Sequence, residues 1–169
     1  MKQTEFKLFC ELMKNSRRSD RELAKILRVS QPTVTRARRK LEKEGYIKEY
    51  TMLPDFGKLG FELMALTFIK YKEGITEKEM EEVTEVARRY EKENPKAVLM
   101  AVTGRGLGYE RVIITFHKNY SSFAESIALI RQFPHRAVAD IDSFLVPLSE
   151  THYLPCTFSA IADYLLTQK

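Results

Sequence analysis

The residues best placed to do chemistry lie in the stretch Ser-Gln-Pro-Thr-Val-Thr-Arg-Ala-Arg-Arg-Lys-Leu-Glu-Lys, positions 30–43. Stepping 100° per residue around a helix gathers Arg36, Arg39 and Lys43 on one side, flanked by Thr35 and Lys40. Val34, Ala37 and Leu41 fall on the other side. Cations set this close repel one another unless water or a polyanion neutralises them, and a phosphate backbone presents its charges in a row. Gln31, Thr33, Thr35 and Arg36 add hydrogen-bonding groups near the start of the segment, the chemistry that reads base edges in the major groove of double-stranded DNA. Ser30 stands immediately before them as a helix cap. A solvated basic face is the plain alternative, and the elements in front of the segment decide between the two.

Those elements are short and capped. Phe6, Phe9, Cys10 and Met13 recur at helical spacing and predict a helix over about residues 4–14. Ser19 with Glu22 forms a capping box that starts a second helix, which buries Leu23, Ile26 and Leu27. Arg28 and Val29 alone separate it from Ser30, so the second and third helices must cross steeply, as in a helix-turn-helix. Pro32 fits the first turn of the third helix, and Gly45 ends it. Tyr46 to Met52 alternates as a strand would, which predicts a small wing or linker strand, and Pro54-Asp55-Phe56-Gly57 marks a boundary.

Charge follows this division. Residues 1–50 carry 14 Lys and Arg against 7 Asp and Glu, a balance of +7, while the rest of the 169-residue chain stands at −2. The front alone is therefore suited to a polyanion. With 44% hydrophobic and 30% charged residues the composition is that of a folded globular protein. No apolar run is long enough to span a bilayer and the N-terminus lacks a signal-peptide core, so no membrane role and a cytoplasmic location are expected. Cys10 and Cys156 have no metal-ligand spacing, so no metal or other cofactor is expected, and Cys10 reads as a small buried apolar residue.

The run LAKILRVSQPTVTRARRKLEKEGYIKEY followed by PDFGKLGFEL resembles the opening of the leucine-responsive regulatory protein/AsnC (Lrp/AsnC) family over about residues 4–70. The resemblance implies a transcription regulator that binds DNA in a sequence-specific way and assembles as a homodimer, often in higher rings. It also implies an amino acid or other small molecule as effector. Two positions depart from the pattern. Arg28 stands where such turns often carry Gly, and a left-handed conformation would cost it about 1 kcal/mol. Arg38 stands where an apolar residue is usual, so its stem is expected to cover the core edge while its head reaches solvent.

The remainder reads as strand 61–71, helix 77–93, strand 97–103, strand 109–117, helix 122–133 and strand 137–147. Thr76 with Glu79 and Ser122 with Glu125 are the expected capping boxes. Met80, Val83, Ala87 and Tyr90 line one helix face; Phe123, Ile127 and Ile130 line the other. The order predicts an α+β chain: a (winged) helix-turn-helix domain over 1–55, a ferredoxin-like βαββαβ domain over 56–148 for dimerisation and effector binding, and a tail over 149–169. The strands are apolar on both faces, which calls for a second copy to cover the face the helices leave bare. Phe158, Ile161, Ala162 and Leu165 predict a short helix in the tail, expected to pack on the dimer.

The link Thr103 to Tyr109 holds Gly104, Gly106 and Gly108 around Arg105 and admits two readings. One is a hairpin turn; the other is a nest of backbone N–H groups holding an effector carboxylate, with Gly104, Arg105, Gly106 and Gly108 as its residues. Val102-Thr103-Gly104 keeps the family pattern, but the Asp that closely follows it in relatives is missing, with Glu110 or Arg111 in the neighbourhood. Some Lrp/AsnC-like proteins are decarboxylases. His117, His135 and His152 read as surface residues without a nucleophile or carboxylate at useful spacing, so no catalytic residue is assigned. An architectural protein of low sequence preference is the third reading, separable by its specificity ratio.

Overall fold

The computed structural model describes residues 1–93, 97–149 and 157–168. Two compact units emerge: Met1–Pro54 with the C-terminal helix, and a second unit beginning at Asp55.

In the first unit, α1 (Gln3–Lys14), α2 (Asp20–Leu27) and α3 (Gln31–Lys43) enclose a core of Leu8, Leu12, Leu23, Ala24, Val34, Ala37 and Leu41. Leu8, Leu23, Val34 and Leu41 are fully buried, and truncating such a leucine to alanine costs about 2–5 kcal/mol. The stripe predicted for α1 divides between two neighbours, with Phe9 packed against this core. Phe6, Cys10 and Met13 pack on a C-terminal helix, α6 (Ser159–Thr167), through Ala162, Leu165 and Leu166. Because Leu8 and Leu12 add a second apolar arc to α1, one neighbour cannot cover it, and α6 supplies the other wall. The tail helix, expected to pack on a dimer, thus packs on α1 of its own chain. A Lys14–Asp163 ion pair at 2.6 Å closes the seam. Phe158 and Ile161, predicted for the docking face, are exposed instead. Cys10 is buried as expected; Cys156 lies outside the described residues.

After α3 the Gly45 backbone turns to φ 74°, and the Gly45 and Tyr46 N–H groups donate to the Glu42 and Leu41 carbonyls at 3.1 and 3.0 Å. No strand is formed over residues 47–55, where the alternation predicted one. Tyr46, Tyr50 and Met52 are exposed, and their alternation finds no strand to pair with.

The second unit is a four-stranded antiparallel sheet, β1 (Leu63–Tyr71), β2 (Val98–Gly106), β3 (Tyr109–His117) and β4 (Val138–Pro147), in the order β2-β3-β1-β4. With α4 (Glu77–Glu93) and α5 (Tyr120–Arg131) it makes the ferredoxin-like βαββαβ arrangement. Odd positions of β1, namely Ala65, Thr67 and Ile69, are buried, as are Ile141 of β4 and Val83, Ala87 and Phe123 of the helices. Tyr90 was assigned to the same α4 face, but its side chain is outside the described residues. The α4 capping box at Thr76 and Glu79 forms as predicted. The one at α5 starts three residues earlier: Asn119 Oδ1 accepts from the Ser122 N–H at 2.9 Å, and Ser122 serves as the reciprocal partner. Asn is at least as good a cap as Ser, and here it takes the position.

Even positions face the other way. Met64, Leu66 and Phe68 of β1 register beside Phe116, Ile114 and Val112 of β3 and Val146, Phe144 and Asp142 of β4. Phe56 stacks on Phe116 at 3.6 Å and covers one end of this face. Phe144, 65% exposed, and Met100 and Val102 of β2 stay open. No helix of the described residues is long and apolar enough to cross a membrane.

Candidate nucleic-acid interface

Local capping fixes the helix that carries the site. Ser19 Oγ accepts from the Glu22 N–H while the Glu22 carboxylate accepts from the Ser19 N–H at 2.7 Å. Arg28 then closes α2 in the left-handed region, φ 55° and ψ 46°, as a tight turn at that position requires. Ser30 Oγ accepts from the Thr33 N–H at 3.3 Å and lies 2.8 Å from the Thr33 hydroxyl. Both are spent on ordering the first turn of α3, where Pro32 leaves no donor unsatisfied.

The five cations of α3 fall into two groups. Arg38 Nε donates to Asp20 Oδ1 at 2.8 Å, and its terminal nitrogens reach the Arg18 carbonyl and the Tyr50 hydroxyl at 3.2 and 3.4 Å. Its head is therefore held inside a network between α2, α3 and the segment after α3. This corrects the expectation that it extends to solvent: Asp20 at the start of α2 provides a closer counter-charge. Thr35 donates to the same carboxylate at 2.6 Å. Lys40 pairs with Glu5 at 2.9 Å across the α1–α3 seam, a bond that also raises the Lys40 pKa. Glu5 is buried, and the Lys2 N–H followed by Lys40 holds its carboxyl below the ordinary range.

Arg36, Arg39 and Lys43 form the second group. All three are exposed, as is Gln31, and among the described residues no ion pair engages them. Arg36 Nε makes only a 3.3 Å bond to the Pro32 carbonyl one turn back. The structure thus sets Gln31, Arg36, Arg39 and Lys43 outward, while Ser30, Thr33, Thr35 and Lys40 are engaged in holding the helix. Sequence reasoning missed Asp20, Glu5 and Tyr50, the partners that make this division. The signal available was Arg38 itself, since a charge at a core-edge position needs an acid.

The residues Gly104, Arg105, Gly106 and Gly108 lie at the β2–β3 hairpin. Gly104 to Gly106 belong to β2, and Leu107-Gly108 form a two-residue turn with φ 53° and 82°, the left-handed pair of a type I′ turn. All four are exposed, and no other atom lies within 4 Å of where a Cβ would stand at the three glycines. Of the histidines, His117 is buried, 2.8 Å from the Thr115 hydroxyl and edge-on to Phe123, which corrects its assignment to the surface. His135 sits on a 3-10 turn, Pro134–Arg136, and bonds Glu82 at 2.7 Å. His152 lies outside the described residues.

Residues 1–48 match the winged helix-turn-helix DNA-binding family. An uncharacterised HTH-type transcriptional regulator of Pyrococcus abyssi is 32% identical over 64% of this chain and 67% of its own length. The HTH-type transcriptional regulator LrpC of Bacillus subtilis is 45% identical over 34% of this chain and 40% of its own length, so this match spans less than half of that relative. A Neisseria meningitidis transcriptional regulator solved with L-Met shares the fold, with a TM-score of 0.76 at 20% identity over 94% of this chain and 95% of that one. With the helix-turn-helix ahead of a βαββαβ sheet unit, these likenesses place the chain in the Lrp/AsnC family of HTH-type transcriptional regulators.

Proposed function

We propose that this protein is a sequence-specific transcription regulator that reads the DNA major groove with α3 and acts as a homodimer. The observation that carries the reading is the sorting of the α3 cations: acids of the same unit neutralise Arg38 and Lys40, while among the described residues no acid pairs with Arg36, Arg39 or Lys43 on their exposed face. A face with unmatched charge and Gln31 beside it suits phosphate and base edges. In this reading Arg39 and Lys43 anchor to phosphates, Gln31 and Arg36 read bases, and Ser30, Thr33, Thr35 and Lys40 fix the helix that presents them.

The dimer is supported by the uncovered sheet face. Leu66, Phe68, Met100, Val102, Ile114 and Phe144 would leave a broad apolar surface in water, and the same face of a second copy is a self-complementary cover. Two recognition helices held together gain avidity of about 10²–10⁴ over one.

Selection from random DNA followed by salt titration tests the assignment. Arg39→Ala and Lys43→Ala should weaken binding on every sequence and each lower the salt slope by about one. Gln31→Ala and Arg36→Ala should shift the selected bases. A wild-type specificity ratio near one would favour the architectural reading, and full affinity in all four variants would remove α3 from the interface.

A further inference from the structure

A cavity of about 80 Å³ lies between the sheet and helices α4 and α5 of the second unit. Its walls are mostly apolar, with Ile69 and Ile113 from the sheet and Leu129, Ile130 and Phe133 from α5 and the segment after it. Arg111 also lines it. Position 111 registers opposite Ile69, which is fully buried, so the side chain lies on the helix-facing side of the sheet. Its Nε is buried and has no hydrogen-bond partner, the only such side-chain atom among the described residues. A guanidinium N–H shut away from water without an acceptor is disfavoured, and proteins place one so only when another group serves it.

We propose that this cavity binds a short-chain monocarboxylate, its carboxylate accepting from Arg111 Nε and its alkyl end resting on the Ile69, Ile113 and Leu129 side chains. The anion follows from the donor: a guanidinium N–H calls for an acceptor, and a carboxylate is the strongest that so small a space admits. The missing ammonium group follows from the walls, since among the described residues no Asp or Glu lines the cavity to receive one. The size follows from the volume, which suits two or three carbons at about 30 Å³ per water-sized group. The site lies within one sheet-and-helix layer and needs neither DNA nor a second copy. Its fate is therefore separate from that of the regulator reading.

The test is methyl NMR of the full-length protein titrated with propionate, propionamide and propylammonium. Propionate should shift the Ile69, Ile113 and Leu129 methyls saturably, with the amide at least about tenfold weaker and the ammonium silent. Arg111→Met should abolish the propionate shifts while amide dispersion and DNA binding persist. If that variant unfolds, Ile113→Phe, which keeps the arginine and fills the space, should abolish them instead. Absence of propionate binding at about 50 mM would overturn the proposal and leave water as the partner of Nε. Equal binding of acid and amide, or undiminished binding by Arg111→Met, would overturn it too.

Discussion

Asp20→Ala strikes the point on which the orientation of α3 depends. The Asp20 carboxylate accepts from Arg38 Nε at 2.8 Å and from Thr35 Oγ1 at 2.6 Å, so its loss removes two bonds and leaves a guanidinium short of an acceptor. Hydrogen bonds to charged groups contribute about 1.5–3 kcal/mol each when shielded. Here the side chains of Arg38 and Asp20 are 17% and 21% exposed, which moves the pair part of the way toward the 0.2–1 kcal/mol of a surface bridge. Arg38 also retains the Arg18 carbonyl and the Tyr50 hydroxyl. A net loss of about 2 kcal/mol is expected for Asp20→Ala, and about 1 kcal/mol for Asp20→Asn, which keeps an acceptor for Thr35 and loses the charge. The assay is urea unfolding of the full chain followed by helical circular dichroism, with a double-mutant cycle against Arg38→Met to isolate the pair. A coupling of about 1 kcal/mol is expected. If Asp20→Ala stays within about 0.3 kcal/mol of wild type, or the cycle shows no coupling, the network does not hold α3 and the sorting of its cations loses its structural basis.

Arg28→Gly should stabilise the first unit by about 0.5–1 kcal/mol, because glycine takes the φ 55° conformation without the left-handed penalty that arginine carries; a lower melting temperature would refute this. Glu79 is held at about 2, below its ordinary 4.5, by the Thr76 N–H, the Thr76 hydroxyl and Lys72. A depressed carboxyl stabilises above the higher value and is lost as pH falls from 4.5 through 2. The melting-temperature gap between wild type and Glu79→Gln should therefore close over that window, and a gap constant with pH would count against it. Phe144→Glu puts a charge on the open sheet face without disturbing the core. Sedimentation should show the wild type dimeric and the variant monomeric, and an unchanged dimer would move the interface elsewhere.

Much of this protein is written in local pattern. The Ser19–Glu22 box, the two-residue gap to Ser30 and Gly45 specify three helices and a turn because caps and left-handed positions are satisfied within a few residues. Alternation and the Thr76–Glu79 box likewise specify the βαββαβ order. The basic face of α3 was legible too, since helical geometry alone sorts Arg36, Arg39 and Lys43 from Val34 and Leu41.

What tertiary structure alone decided is which groups meet across long separations. Lys40 finds Glu5, 35 residues away, and Arg38 finds Asp20, 18 residues away, so two of the five α3 cations are already neutralised by partners that local pattern does not name. The stripe of Phe6, Cys10 and Met13 gave a helix but not its neighbour, because an apolar face does not encode whether α2 or α6 covers it. Tyr46 to Met52 alternates without pairing, because alternation needs a partner strand whose position is not local. Arg111 reads as one more charge near a hairpin; only the register of β3 on β1 turns it beneath the sheet, where its Nε meets no hydrogen-bond partner among the described residues. Period and capping act over one or two turns, whereas pairing and burial depend on the whole chain closing on itself.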